Sequence, residues 1–113
     1  MPYISTRTNA LISKEQRNII REKLGKSISL LNKSEEWLML EFNSNCDLLF
    51  RGNDNCLIAY VEVKLYGDTN NELCDKMTNS ISNILNEVLN IDMANIYVSY
   101  YPTDKWGWNG RNF

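Results

Sequence analysis

The position that could carry chemistry is the second one. Pro2 follows the initiator methionine, and a residue that small permits removal of Met1, which would leave a secondary amine at the N-terminus. An ordinary α-amino group titrates at about 7.7–8.0, and a neighbouring cation or an apolar surrounding lowers the value. Such an amine can act as a general base near neutral pH. The plainer alternative is that Pro2 affects only processing or terminal protection, and the dipeptide by itself does not choose. The chain contains no histidine. That removes Ser-His-Asp and Cys-His nucleophile pairs, imidazole proton shuttles and every histidine-containing metal site. If this chain is an enzyme, another group must move its protons.

The elements that would position such a group have to fit in 113 residues, enough for one domain over residues 1–113 with a modest core. A net charge of −2 argues against a nucleic-acid or anionic-membrane partner, which would call for a basic excess. No run approaches the roughly 18 apolar residues of a membrane span, and the N-terminus lacks the apolar stretch of a signal peptide. A cytoplasmic, reducing setting is the expectation. Three cysteines, Cys46, Cys56 and Cys74, close no even disulfide framework. Cys46 and Cys56 are close enough in sequence to approach across a hairpin, but spacing alone decides nothing.

Tyr3, Ile4, Thr6 and Thr8 predict a strand over residues 3–8. Ser13-Lys14-Glu15-Gln16 fits a capping box opening a helix, in which Ile20, Leu24, Ile28 and Leu31 form one apolar stripe. Trp37 to Phe42 reads as a second strand, and residues 43–55 as turns with a short strand at Leu48–Phe50. Leu57 to Leu65 alternates as a third strand, its core face formed by Leu57, Ala59, Val61, Val63 and Leu65. Thr69-Asn70-Asn71-Glu72 is a second capping box. It opens a helix that carries Leu73, Met77, Ile81, Ile84, Leu85 and Val88 on one face. Ile96 to Tyr101 is a fourth strand, and the tail is aromatic and turn-rich. The order is an α+β duplication of a β-α-β unit, with two helices on one face of a four-stranded sheet. The other face, with Tyr60 on it, is left bare, and a bare face of that kind predicts oligomerisation.

These segments, taken in order, resemble the macrophage migration inhibitory factor family of the tautomerase superfamily. The resemblance runs from Met1-Pro2 and Thr8-Asn9, through Lys33 and Trp37-Leu38-Met39-Leu40, to Phe50, Tyr60-Val61-Glu62-Val63-Lys64 and Gly67. It continues through Asn95-Ile96-Tyr97-Val98-Ser99-Tyr100-Tyr101. The closing Trp106-Gly107-Trp108-Asn109-Gly110 is similar to the tail of microbial and protozoan members. The resemblance implies a ferredoxin-like subunit of the tautomerase fold assembled into a homotrimer, with the three sheets around a central channel, the helices outside and the active site between subunits at the N-terminal proline.

Residue by residue, the resemblance implies that Pro2 is the base that moves a proton between carbon and oxygen of a small aromatic keto acid. It implies that Lys33 faces the substrate carboxylate, where its charge would also depress the pKa of the proline amine. Apart from the resemblance, Lys33 reads as a solvated lysine favoured by a helix C-terminus. Leu65 stands where a backbone N–H contacts substrate, and Tyr97 where a tyrosine reaches a neighbouring subunit's site. Trp37, Trp106 and Trp108 match positions that line the site or its rim, though aromatics serve packing equally well. Ser99 stands where vertebrate members carry an asparagine that binds the far end of an aromatic substrate, so a hydroxyphenyl preference is not implied. Lys64 stands where the commonest residue is small, and either adds a second positive charge near the site or faces solvent. The vertebrate Cys-x-x-Cys pair is absent, since Cys56 is followed by Leu57-Ile58-Ala59, and thiol–disulfide chemistry is not supported.

The expectation is thus a keto–enol tautomerase of the phenylpyruvate type that needs no cofactor and no metal. The alternative is a cytokine-like binding protein of the same fold, which, if released from the cell by a non-classical route, would meet a receptor protein. A third reading, an enzyme for unsaturated dicarboxylates or haloacrylates, would draw on Arg7 or Arg51.

Overall fold

Alternation along the third strand sets the architecture. In a computed structural model that describes residues 1–113, the elements in order are β1 (Pro2–Thr8), α1 (Lys14–Ser27), β2 (Met39–Asn43), β3 (Ala59–Tyr66), α2 (Asn71–Leu89), β4 (Ile96–Thr103), β5 (Gly107–Trp108) and β6 (Arg111–Asn112). The main sheet has the order β2-β1-β3-β4, with β1/β2 and β3/β4 parallel and β1/β3 antiparallel. Ala59, Val61, Val63 and Leu65 point to the helices and are fully buried, as the alternation requires. Each such burial stabilises by about 1.5–3 kcal/mol for a side chain of valine or leucine size. Ile4 from β1, Ile20, Leu24 and Ile28 from α1 and the turn after it, and Met77, Ile81 and Leu85 from α2 complete the core.

Local chemistry places the ends of the helices. Ser13 caps α1 with the reciprocal capping box to Gln16. A short 3-10 helix, Ile28–Leu31, follows and stops at Asn32, whose left-handed φ of 60° lets its N–H reach the carbonyls of Ile28 and Ser29. That stop delivers Lys33 to the end of the sheet where β1 begins. The second helix is capped by Asn70, whose side chain accepts from the Leu73 N–H, one residue later than the expected Thr69. The Thr69 hydroxyl lies instead 3.5 Å from the Cys74 sulfur.

Four expected elements are corrected. Trp37 is not in β2. Ser34 accepts from the Glu36 N–H and turns Glu35–Trp37 into a 3-10 helix, so the strand starts at Met39. Leu48–Phe50 forms no strand, and only a bridge between Phe50 and Asn53 remains. Leu57 lies before β3, which runs from Ala59 to Tyr66, and β4 extends through Pro102 to Thr103. Cys46, Cys56 and Cys74 are all free thiols.

The face of the sheet away from the helices is uncovered, and it is polar and aromatic rather than greasy. Arg7 pairs with Glu62 at 2.6 Å, the Tyr3 hydroxyl donates to Glu41, and the Tyr60 hydroxyl lies 2.7 Å from Ser99 Oγ and 3.2 Å from the Tyr101 hydroxyl. Both outer strands, β2 and β4, leave one edge without a partner strand. No helix is long and apolar enough to cross a membrane.

Candidate active site

Pro2 is buried at the start of β1, opposite Leu65 of β3. The Met1 carbonyl accepts from the Tyr66 N–H at 3.1 Å, so the ladder extends one step beyond Pro2 and holds the N-terminus at the sheet's end. A cleft of about 600 Å³ opens there. Its apolar wall comes from Pro2, Trp37, Met39, Trp106 and Trp108, and its polar groups come from Tyr3, Glu36 and Lys64. Trp37 and Trp108 meet edge to face, with centroids 5.3 Å apart. Trp108 is carried there by the small hairpin β5–β6, whose turn residues Asn109 and Gly110 both take positive φ, the geometry of the tightest hairpin turn. Phe113 closes the tail by packing on Tyr66 and by donating its N–H to the Trp106 carbonyl at 3.1 Å.

Electrostatics favour a neutral amine at this place. The terminal amine, here that of Met1, is held below its ordinary pKa, first by burial and then by the charge of Lys33. Both causes disfavour the ammonium form. Lys33 does not line the cleft itself. Its Nζ lies 3.3 Å from where a Cβ on Gly67 would stand, so the bare glycine backbone makes room for the ammonium. Leu65 is fully buried beside Pro2 in the ladder, which leaves only its backbone to meet a ligand.

Two of the expected residues lie far from this cleft within one chain. Tyr97 pairs with Tyr60 in the β3/β4 ladder, five positions along from the level of Pro2 and Leu65, or about 16 Å at strand rise. It is exposed and packs on Phe50, with centroids 5.1 Å apart. Ser99 pairs with Glu62, about 10 Å along, and is engaged with Tyr60. Arg7 is held by Glu62 at the far end of β1, and Arg51 lies over the Phe50 ring in the loop before β3. Neither arginine reaches the cleft. A larger hollow of about 890 Å³ between the helices holds none of the expected residues and is lined mainly by polar groups such as Lys23, Lys26, Asp75 and Glu87.

Sequence reading did not find Tyr3, Glu36, Leu38 and Met39 as cleft residues. The signal for Tyr3 was available, because the residue after an N-terminal base must lie at the same mouth. The others depend on the 3-10 helix at Glu35–Trp37, which an extended reading of that segment hides.

The model for the macrophage migration inhibitory factor family matches residues 1–113. The chain belongs to that family. Among solved structures, the migration inhibitory factor MIF2 of Leishmania major superimposes with a TM-score of 0.92 at 29% identity, over 100% of this chain and 97% of that one. A homologue from Prochlorococcus marinus gives 0.87 at 25% identity, over 98% of each chain. The factor of Toxoplasma gondii gives 0.88 at 16% identity, over 98% of this chain and 99% of that one, and shows the common fold. So does a protein solved after inactivation by 2-oxo-3-pentynoate, with a TM-score of 0.78 at 16% identity over 96% of this chain and 93% of that one. No curated protein gives a significant match. In this chain a proline stands at the start of β1, at one end of the four-stranded sheet.

Proposed function

We propose that this member of the migration inhibitory factor family is a keto–enol tautomerase for small aromatic 2-oxo acids such as phenylpyruvate, with Pro2 as the base after Met1 is removed. The observation that carries the reading is the placement of the N-terminus: Pro2 is buried, the chain's terminal amine lies in the field of Lys33, and both stand at the mouth of a cleft walled by Trp37, Trp106 and Trp108. A relative of the same fold is inactivated by 2-oxo-3-pentynoate, itself a 2-oxo acid.

In the enolising direction the neutral Pro2 nitrogen takes a proton from the carbon beside the keto group. The C–H electron pair becomes the enol double bond, and the keto oxygen takes a proton from solvent. The prolinium then returns its proton to the medium, so nothing is oxidised or reduced. Lys33, just outside the cleft wall, keeps the base unprotonated and attracts the substrate carboxylate toward the Pro2 end, and backbone N–H groups at Leu65 and its neighbours steady the developing oxyanion.

The working particle in this reading is a homotrimer. The uncovered sheet face with its tyrosines and the two open strand edges call for a partner. A threefold assembly would bring Tyr97 and Ser99 of one chain to the cleft of the next. The test is direct. Intact mass shows whether Met1 is removed, and Pro2→Gly in the processed protein should lose at least 100-fold in kcat/KM for phenylpyruvate, a loss within the range that general-base catalysis contributes. Unchanged turnover in that variant, or full activity in protein that retains Met1, would sink the assignment.

A further inference from the structure

Lys64 stands on the uncovered face one ladder step from Pro2, where it pairs in register with Tyr3 on one side and Tyr101 on the other. Its Nζ lies 6.0 Å from the centroid of the Tyr3 ring and 5.9 Å from that of Tyr101. Two rings at that range orient an ammonium without neutralising it.

The nearby carboxylates are otherwise engaged or do not pair with it. Glu62 is taken by Arg7 and Glu41 by the Tyr3 hydroxyl. The ion pairs of the chain use Arg7, Lys23, Lys76 and Lys105, and none uses Lys64 or Glu36. Lys64 is the only lysine or arginine in the wall of the cleft. Lys33 acts on the amine from outside that wall, so the two ammonium groups address different parts of a bound molecule.

We propose that Lys64 is a specificity-determining residue of this cleft, and that it selects a 2-oxo acid carrying a second anionic group at the end remote from the keto-carboxylate. The proposal rests on Pro2 marking the reacting end of the same cleft. The tryptophans would cover the body of the ligand, and the ammonium between Tyr3 and Tyr101 would hold its far charge.

All three tryptophans of the chain line the cleft, so fluorescence excited selectively at tryptophan reports on that place. Titration of the Met1-processed protein with phenylacetate and with 4-carboxyphenylacetate compares one charge with two on the same ring. The dianion should bind about fivefold to tenfold tighter, between the worth of an exposed ion pair and that of a charge-assisted hydrogen bond in a partly dry cleft. Lys64→Gln should reduce that preference to less than twofold and Lys64→Arg should keep it. Lys76→Gln, which removes the same charge on α2, should leave it unchanged. No preference in the wild type, or a preference that survives Lys64→Gln, would overturn the proposal. The binding result is independent of turnover: Pro2→Gly should keep the preference, and turnover that survives Pro2→Gly would remove the catalytic reading while leaving the fluorescence comparison to stand or fall by itself.

Discussion

Gly67→Ala separates the strain of a turn from the placement of a charge. Gly67 has φ of +97°, and a Cβ there would lie 3.3 Å from Lys33 Nζ. Gly52 has φ of +80°, and a Cβ there would meet nothing within 4 Å. Both substitutions force an L residue into the left-handed region at a cost of about 1–2 kcal/mol, offset in part by about 0.4–1 kcal/mol from the stiffer unfolded chain. Each should therefore lose about 1 kcal/mol in urea unfolding. The contact at Gly67 adds little to that, because a lysine tip gives way easily. What it changes is where the ammonium sits. Misplacement of a binding group by 1 Å can cost about 100-fold in rate, so a shift of a few tenths of an ångström should cost about threefold to tenfold. The expected outcome is similar destabilisation in both variants, with kcat/KM for phenylpyruvate lowered only in Gly67→Ala. Equal kcat/KM in the two would refute the view that the open space at Gly67 exists for Lys33. A loss above about 3 kcal/mol confined to Gly67→Ala would refute the flexible-tip argument.

Two further outcomes follow from perturbed groups. Burial and Lys33 lower the pKa of the Met1 amine; the Pro2 amine that processing would free lies one residue further into the same surroundings, so the acid limb of kcat/KM should lie below the ordinary α-amino range. Lys33→Gln removes one of the two causes and should move that limb to higher pH; a limb that stays in place would deny Lys33 its electrostatic role. Tyr100, whose hydroxyl lies 2.8 Å from Thr78 Oγ1 and donates to the Cys74 carbonyl at 3.1 Å, has its pKa raised by burial to about 12. A raised folded-state pKa contributes stability that is complete below the unfolded value of about 10 and is lost as pH rises toward 12. Tyr100→Phe should therefore lose less of its urea midpoint than wild type between pH 9 and pH 11.

Much of the fold is legible in the sequence wherever the signal is local. The Ser13–Gln16 box and the alternation from Ala59 to Leu65 each sit inside a few residues, and both hold as read. Competition between neighbours hides the rest. Thr69 and Asn70 can each cap a helix, and only the backbone path, with Asn70 extended at φ of −140°, selects the second. The run from Trp37 to Phe42 looks uniformly strand-like, but Ser34 and the 3-10 helix it caps take its first residue for the cleft. The site is less legible than the fold for the same reason. Pro2 is marked by its position, whereas Glu36 reaches the cleft through the 3-10 helix and Met39 because β2 lies beside β1. The alternation that places Glu62 and Lys64 on the open face marks its charged end as wet, but the pairing across strands, such as Arg7 with Glu62 and Tyr3 with Glu41, depends on the register and is not legible.

The ladder positions of Pro2 and Tyr97 have a genetic consequence. In the proposed trimer the two residues of one chain serve different clefts, so a lesion at Tyr97 spares its own subunit's cleft and injures a neighbour's. Subunits defective only at Pro2 and subunits defective only at Tyr97, each inactive as a pure population, would restore one another when mixed before assembly. Every interface where an intact Pro2 meets an intact Tyr97 becomes a working centre. A chain carrying both lesions could rescue neither.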